Sequence, residues 1–165
     1  MASRKGIAVT AAILVGVVAA SFSVYLLPED TTMKISISDF ENHLDITKER
    51  TSMEVTGIDD SFQKLMNSEM SPSEYTSIAE ITTLQINSLI IELTNSGATQ
   101  EWSESYVNYI GALKKLNEKI TETIVVANLI TDDSNSDSIN EILDKIKQLE
   151  TESLDLIKKS DNSRP

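Results

Sequence analysis

Apolar positions in this chain form one unbroken run followed by four periodic stretches. The run, Gly6 to Leu27, holds 22 residues without a charge. A helix of that length rises roughly 33 Å, the thickness of a bilayer's hydrocarbon core, so a single N-terminal transmembrane helix is expected over residues 6–27. Residues 28–37, PEDTTMKISI, follow as a polar linker. Met33, Ile35 and Ile37 alternate as in a strand, but no second strand exists to pair with them, and the segment reads as an extended tether.

From Ser38 the spacing changes to three and four. Phe40, Leu44, Thr47, Thr51, Val55, Ile58, Phe62 and Leu65 predict a helix over 38–69, opened by a Ser38–Glu41 capping box. Gly57 costs about 1 kcal/mol relative to Ala inside a helix, so a kink or break is expected near Gly57-Ile58-Asp59. Ser71-Pro72-Ser73-Glu74 opens a second helix, 72–95, which stops before Gly97, a residue suited to a left-handed cap. Its core stripe is Tyr75, Ile78, Thr82, Ile86, Leu89 and Leu93. Ile81, Leu84, Ile90 and Ile91 widen the apolar arc, which implies more than one neighbour.

The third helix, 99–131, is capped by Thr99 and carries Trp102, Tyr106, Tyr109, Leu113, Leu116, Ile120, Thr123 and Ala127 in heptad phase. A polar loop, TDDSNSD, separates it from the fourth, 138–159, where a Ser138–Glu141 capping box precedes Ile139, Ile142, Ile146, Leu149, Ser153 and Leu156. Residues 161–165 read as a disordered tail. The fold class is all-α: the transmembrane helix, then an antiparallel four-helix bundle over 38–160. Its helices are unequal, about 32 residues for the first and third and about 24 for the others, so the longer pair should overhang. Three-helix packing with a loosely attached fourth helix is the alternative.

The flanks of the apolar run set an orientation. Arg4 and Lys5 precede it and Glu29 and Asp30 follow Pro28, so residues 1–5 are expected in the cytoplasm and the bundle outside, at the cell membrane. The run is either an uncleaved anchor, a signal peptide cut after Ser21 or Ser23, or a leader cut after Gly6. Arg4-Lys5-Gly6-Ile7-Ala8 before a long apolar stretch resembles the class III, prepilin-type leaders of archaeal pilins. It also resembles the leader-anchors of small uncharacterised exported proteins of ammonia-oxidising archaea. The resemblance implies cleavage after Gly6 and a place at the cell surface.

Beyond residue 28 the chain holds 12 basic and 26 acidic residues, a formal charge of −14. Such a surface repels nucleic acid and anionic headgroups and favours cations or basic partners. With no cysteine, stability must come from burial. No Asn-x-Ser/Thr sequon occurs.

Candidate chemistry is sparse. Trp102, Tyr106 and Tyr109 lie on one stripe that the topology brings near Phe40 and His43. Trp102, Tyr106 and His43 are an interaction-surface candidate, able in principle to cage a small cation, although the heptad phase favours a core. His43 is the only histidine, too few for zinc, and reads as a surface or boundary side chain. Asp133, Asn135 and Asp137 have the opening spacing of a calcium loop. Ser138 stands where such a loop has Gly and Asp144 where it has Glu, so binding would be millimolar and a plain connector is favoured. Asp59-Asp60 and Asp132-Asp133 are solvated pairs. No catalytic or cofactor motif is present. The expected protein is a non-enzymatic, membrane-anchored interaction or scaffold bundle with protein partners in the cell envelope. The alternatives are a ligand-sensing bundle acting through a partner and a pilin-like surface subunit.

Overall fold

The computed structural model describes residues 39–131 and 136–165, without the side chain of Ser136. The apolar run 6–27, the linker, Ser38, Asp133 and Asn135 lie outside the described residues. Four helices, α1 (Phe40–Met66), α2 (Pro72–Asn95), α3 (Gln100–Thr131) and α4 (Ser136–Asn162), form an all-helical bundle. None of the described helices is long and apolar enough to cross a membrane.

The caps explain where the helix bounds agree with the sequence and where they shift. Asp39 closes the start of α1, its Oδ1 accepting from the Asn42 N–H at 2.9 Å. The helix continues unbroken through Gly57, because Ile58 and Phe62 just beyond it are held by the core. It ends at Met66, short of the expected Glu69. Ser68 takes φ 62°, with its N–H on the Leu65 carbonyl and the Glu69 N–H on the Lys64 carbonyl at 2.8 Å. That is a Schellman ending with serine where glycine is usual. α2 begins and ends as expected, with Ser71 Oγ accepting from the Glu74 N–H at 3.2 Å and Gly97 at φ 65°. α4 starts two residues before Ser138 and runs to Asn162. Its tail is ordered, since Arg164 donates to Asp45 Oδ1 at 2.6 Å and sits 3.1 Å from Asp161 Oδ1. The lengths are therefore 27, 24, 32 and 27 residues, and only α3 is long.

Consecutive helices are antiparallel: Glu92 of α2 meets Arg50 of α1, Asn117 of α3 meets Asn87 of α2, and Lys145 of α4 meets Glu122 of α3. α3 packs against all three other helices. Its seam with α4 is close because the facing residues are small. Ser105 and Ala112 on α3 meet Ser160 and Ser153 on α4, with Ser105 Oγ donating to the Ser160 carbonyl at 2.7 Å and Ser153 Oγ to the Ala112 carbonyl at 3.1 Å. The fourth helix is firmly seated, not loosely attached. α1 is less enclosed: none of its Cα atoms comes within 8 Å of one in α4. The bundle is thus drawn together across α1–α3 and open along α1–α4. The core predicted from the heptads holds, with Leu44, Ile86, Leu113 and Tyr75 all fully buried.

Candidate functional site

Three places in the bundle combine polar chemistry or exposed apolar surface. The first lies where α1 begins. Tyr106 is 2% exposed, and its hydroxyl donates to the Phe40 carbonyl at 3.0 Å with His43 Nδ1 at 2.9 Å. His43 Nε2 faces Glu92 Oε1 at 3.1 Å, and Arg50 Nη1 donates to Glu92 Oε2 at 2.8 Å. Burial works to raise the Glu92 carboxyl, but the hydrogen bonds from Arg50 and His43 outweigh it and hold it below its usual range. Burial pushes the Tyr106 hydroxyl up to about 12, which keeps it protonated as a donor.

This chain of groups ties α1, α2 and α3 together. It is a clasp that runs from the buried Tyr106 through the half-buried His43 to Glu92 and Arg50, which are partly exposed. Tyr106 touches two rings, Phe40 in a T-shaped pair at 6.0 Å and His43 stacked at 5.9 Å. Trp102 is half-buried against the core. The structure thus brings His43 and Tyr106 together and sets Trp102 against the core.

The second place is the open side between α1 and α4, where a cavity of about 300 Å³ has α3 as its floor. Val55, Tyr109, Leu116 and Ile157 make its walls apolar, and Lys48 and Lys119 stand at its edge. Lys119, only 8% exposed, donates to both Asp59 oxygens at 2.9 and 3.1 Å and lies 3.8 Å from Glu150. Lys48 pairs with Asp161 and sits 5.2 Å above the Tyr109 ring. Burial pushes the Tyr109 hydroxyl up to about 12. Each lysine is thus already paired with a carboxylate, and the apolar walls favour a neutral occupant.

No protein-family model, curated protein or solved structure matches the chain.

The calcium candidate is placed only in part. Asp137 lies in the first turn of α4, and Asp144, which pairs with Lys147 at 3.1 Å, follows seven residues later. Seven helical residues span about 10 Å, too far for both carboxylates to share one ion. Among the described residues no group of three His, Cys, Asp or Glu is placed to hold a metal.

The third place is the outer face of α2. Of the residues that widened its apolar arc, Ile90 is half-buried against the core. The other three are not covered by a second neighbour: Ile81 is 58%, Leu84 62% and Ile91 60% exposed. Ser77, Ser88 and Asn95 continue their stripe, and no charged residue stands in it. Pattern alone marked these aliphatic residues but assigned them to a buried contact. His43–Glu92 and Lys119–Asp59 were not marked, because their partners lie 49 and 60 residues away and leave no local signal.

Proposed function

We propose that this chain is a membrane-anchored, extracytoplasmic helical bundle that acts by binding other proteins of the cell envelope rather than by catalysis. The observation that carries this reading is the outer face of α2, three large aliphatic side chains more than half exposed on a strip without charge. In a domain whose surface is otherwise crowded with carboxylates, such a strip is where contact costs least desolvation and gains apolar burial. The 22-residue apolar run supports the anchor, and the basic flank supports the orientation.

The cavity between α1 and α4 favours a second reading, a bundle that senses a small apolar molecule and passes the signal to a partner. Its volume suits a ligand of modest size.

Fractionation tests the first reading. The full chain should stay with membranes after a carbonate wash, and external protease should digest it beyond Pro28. Intact mass then sorts the processing routes. A start at Met1 or Ala2 fits the anchor, a start at Ile7 the pilin-like route, and a start at Phe22 or Val24 means release and defeats anchoring. Leu84→Glu should abolish recovery of envelope partners in mild detergent. Unchanged recovery would remove α2 from the reading.

A further inference from the structure

The exposed stripe on α2 is symmetric along its own length. Ser77, Ile81, Leu84, Ser88, Ile91 and Asn95 step by 4, 3, 4, 3 and 4, the seam of a coiled coil. Its midpoint is Ile86. Reversing the helix about that point exchanges Ser77 with Asn95, Ile81 with Ile91, and Leu84 with Ser88. We propose that α2 pairs antiparallel with α2 of a second copy of this chain about a two-fold axis at Ile86. This rests on the reading of α2 as a binding face and names its partner.

The side chains suit the pairing. A two-fold interface needs a patch complementary to itself, with each contact made twice. Here Ile81 meets Ile91 of the second copy, two aliphatic residues of equal size. Leu84 meets Ser88 of the second copy, a large side chain over a small one, and the polar Ser77 meets the polar Asn95. A one-turn slip would lose the match, setting Leu84 against Leu84 and Ile81 level with the polar Asn87. On the neighbouring helix, Met53 is 61% exposed.

Charge points to the same face. Two bodies each carrying −14 beyond residue 28 repel wherever their carboxylates meet. α2 has only three charged residues, Glu74, Glu80 and Glu92, none in the stripe, and Glu92 is already held by Arg50 and His43. In an antiparallel pair each flank faces its own counterpart. Glu80, on the α3 flank, then lies nearest Thr94 of the second copy, and Glu92, on the α1 flank, nearest Ile78.

The area sets the strength. From Ser77 to Asn95 the stripe is about 27 Å long and one helix wide, about 10 Å, or roughly 270 Å² in plan. Even with Met53 added it stays well under the about 800 Å² per partner of a stable interface. The pair is therefore transient, and tethering copies to a membrane would raise its occupancy. Because the copies repel, added salt strengthens it, whereas contact with a basic partner would weaken.

The chain has no cysteine of its own, which makes disulfide trapping specific. Full-length Ser77→Cys and Asn95→Cys chains are purified in mild detergent, mixed and oxidised. A disulfide needs Cα atoms about 4.4 to 6.8 Å apart. The mixture should give a covalent dimer at least tenfold faster than either variant alone, since two Ser77 positions lie about 27 Å apart in this register. Leu84→Glu in both chains should lower trapping at least tenfold with the helical circular dichroism unchanged, and 0.5 M salt should not lower it. Trapping of Ser77→Cys with itself would show a parallel pair and overturn the proposal. So would no trapping in any mixture. If trapping fails while Leu84→Glu still abolishes recovery of other envelope proteins, the face binds a different partner and the broader reading stands. If Leu84→Glu changes neither, both fall.

Discussion

Four backbone positions make a test whose signs are set by φ and by empty space alone. At Gly57, inside α1, nothing lies within 4 Å of where a Cβ would stand. At Gly111, inside α3, a Cβ would meet Leu156 Cδ1 at 3.4 Å and Cδ2 at 3.7 Å, ordinary van der Waals contact. Replacing either glycine by alanine should therefore gain the helix-propensity difference of about 1 kcal/mol, with a little more at Gly111 from contact with Leu156. Gly97 reverses the sign, because at φ 65° an added Cβ crowds the backbone. Gly97→Ala should cost about 1 kcal/mol. Ser68 pays that strain already at φ 62°, so Ser68→Gly should gain about 1 kcal/mol. In a domain of this size each kcal/mol moves the melting temperature by about 4 °C. Thermal melts followed by far-UV circular dichroism should show Gly57→Ala, Gly111→Ala and Ser68→Gly higher and Gly97→Ala lower. Destabilisation by Gly57→Ala would mean α1 breaks there after all. Gly97→Ala moving upward would refute the left-handed cap, and with it the α2–α3 turn.

Two further perturbations probe the interior. Burial pushes the hydroxyls of Tyr75, Tyr106 and Tyr109 each up to about 12. Their folded values are raised, so this stability is complete below about pH 10 and is lost as pH rises through about 12. By pH 11 Tyr75 and Tyr109 alone should remove about 3 kcal/mol, visible as a falling urea midpoint. Tyr75→Phe should flatten that fall, and an unchanged slope would place the alkaline loss elsewhere. Lys119→Met should cost under about 1 kcal/mol, since a thioether of similar length fills the site and the freed Asp59 and Glu150 are partly solvated. Lys119→Ala should cost about 2 to 3 kcal/mol from the space it leaves. Equal urea midpoints for the two variants would show that the ion pair, not packing, holds α1 to α3 there.

Heptad phase made most of the fold legible, because burial repeats at the period of the helix. Every residue assigned to the α1 core, from Phe40 to Leu65, is buried or half-buried. The bounds of α2 were also legible, since Ser71, Pro72 and Gly97 are the residue types that fit those caps best. The end of α1 was not, because a serine occupies the left-handed position. Lys119 is illegible for a different reason. Ser105, Ala112, Lys119 and Val126 repeat at sevens along α3 and are all buried, but a stripe of small and charged residues looks like solvent-facing surface. Only the close approach of α4 turns it into an interface. The clasp around His43 joins three helices far apart in sequence, and no local pattern encodes such a meeting.

The open α1–α4 side gives the bundle a weak edge. α1 buries five residues, and two of them, Thr47 and Thr51, turn their hydroxyls back onto carbonyls of their own helix, at 2.8 Å in both cases. Its face against the core is therefore less apolar than that of α3, and it lacks the close backbone seam that joins α3 to α4. Opening that spares the rest of the molecule begins at α1. Amide hydrogens of α1 should therefore exchange with solvent through that partial opening, whereas those in the middle of α3 should wait for global unfolding. The same event uncovers Tyr109 and Leu116, so the floor of the cavity is reached from solvent each time α1 lifts.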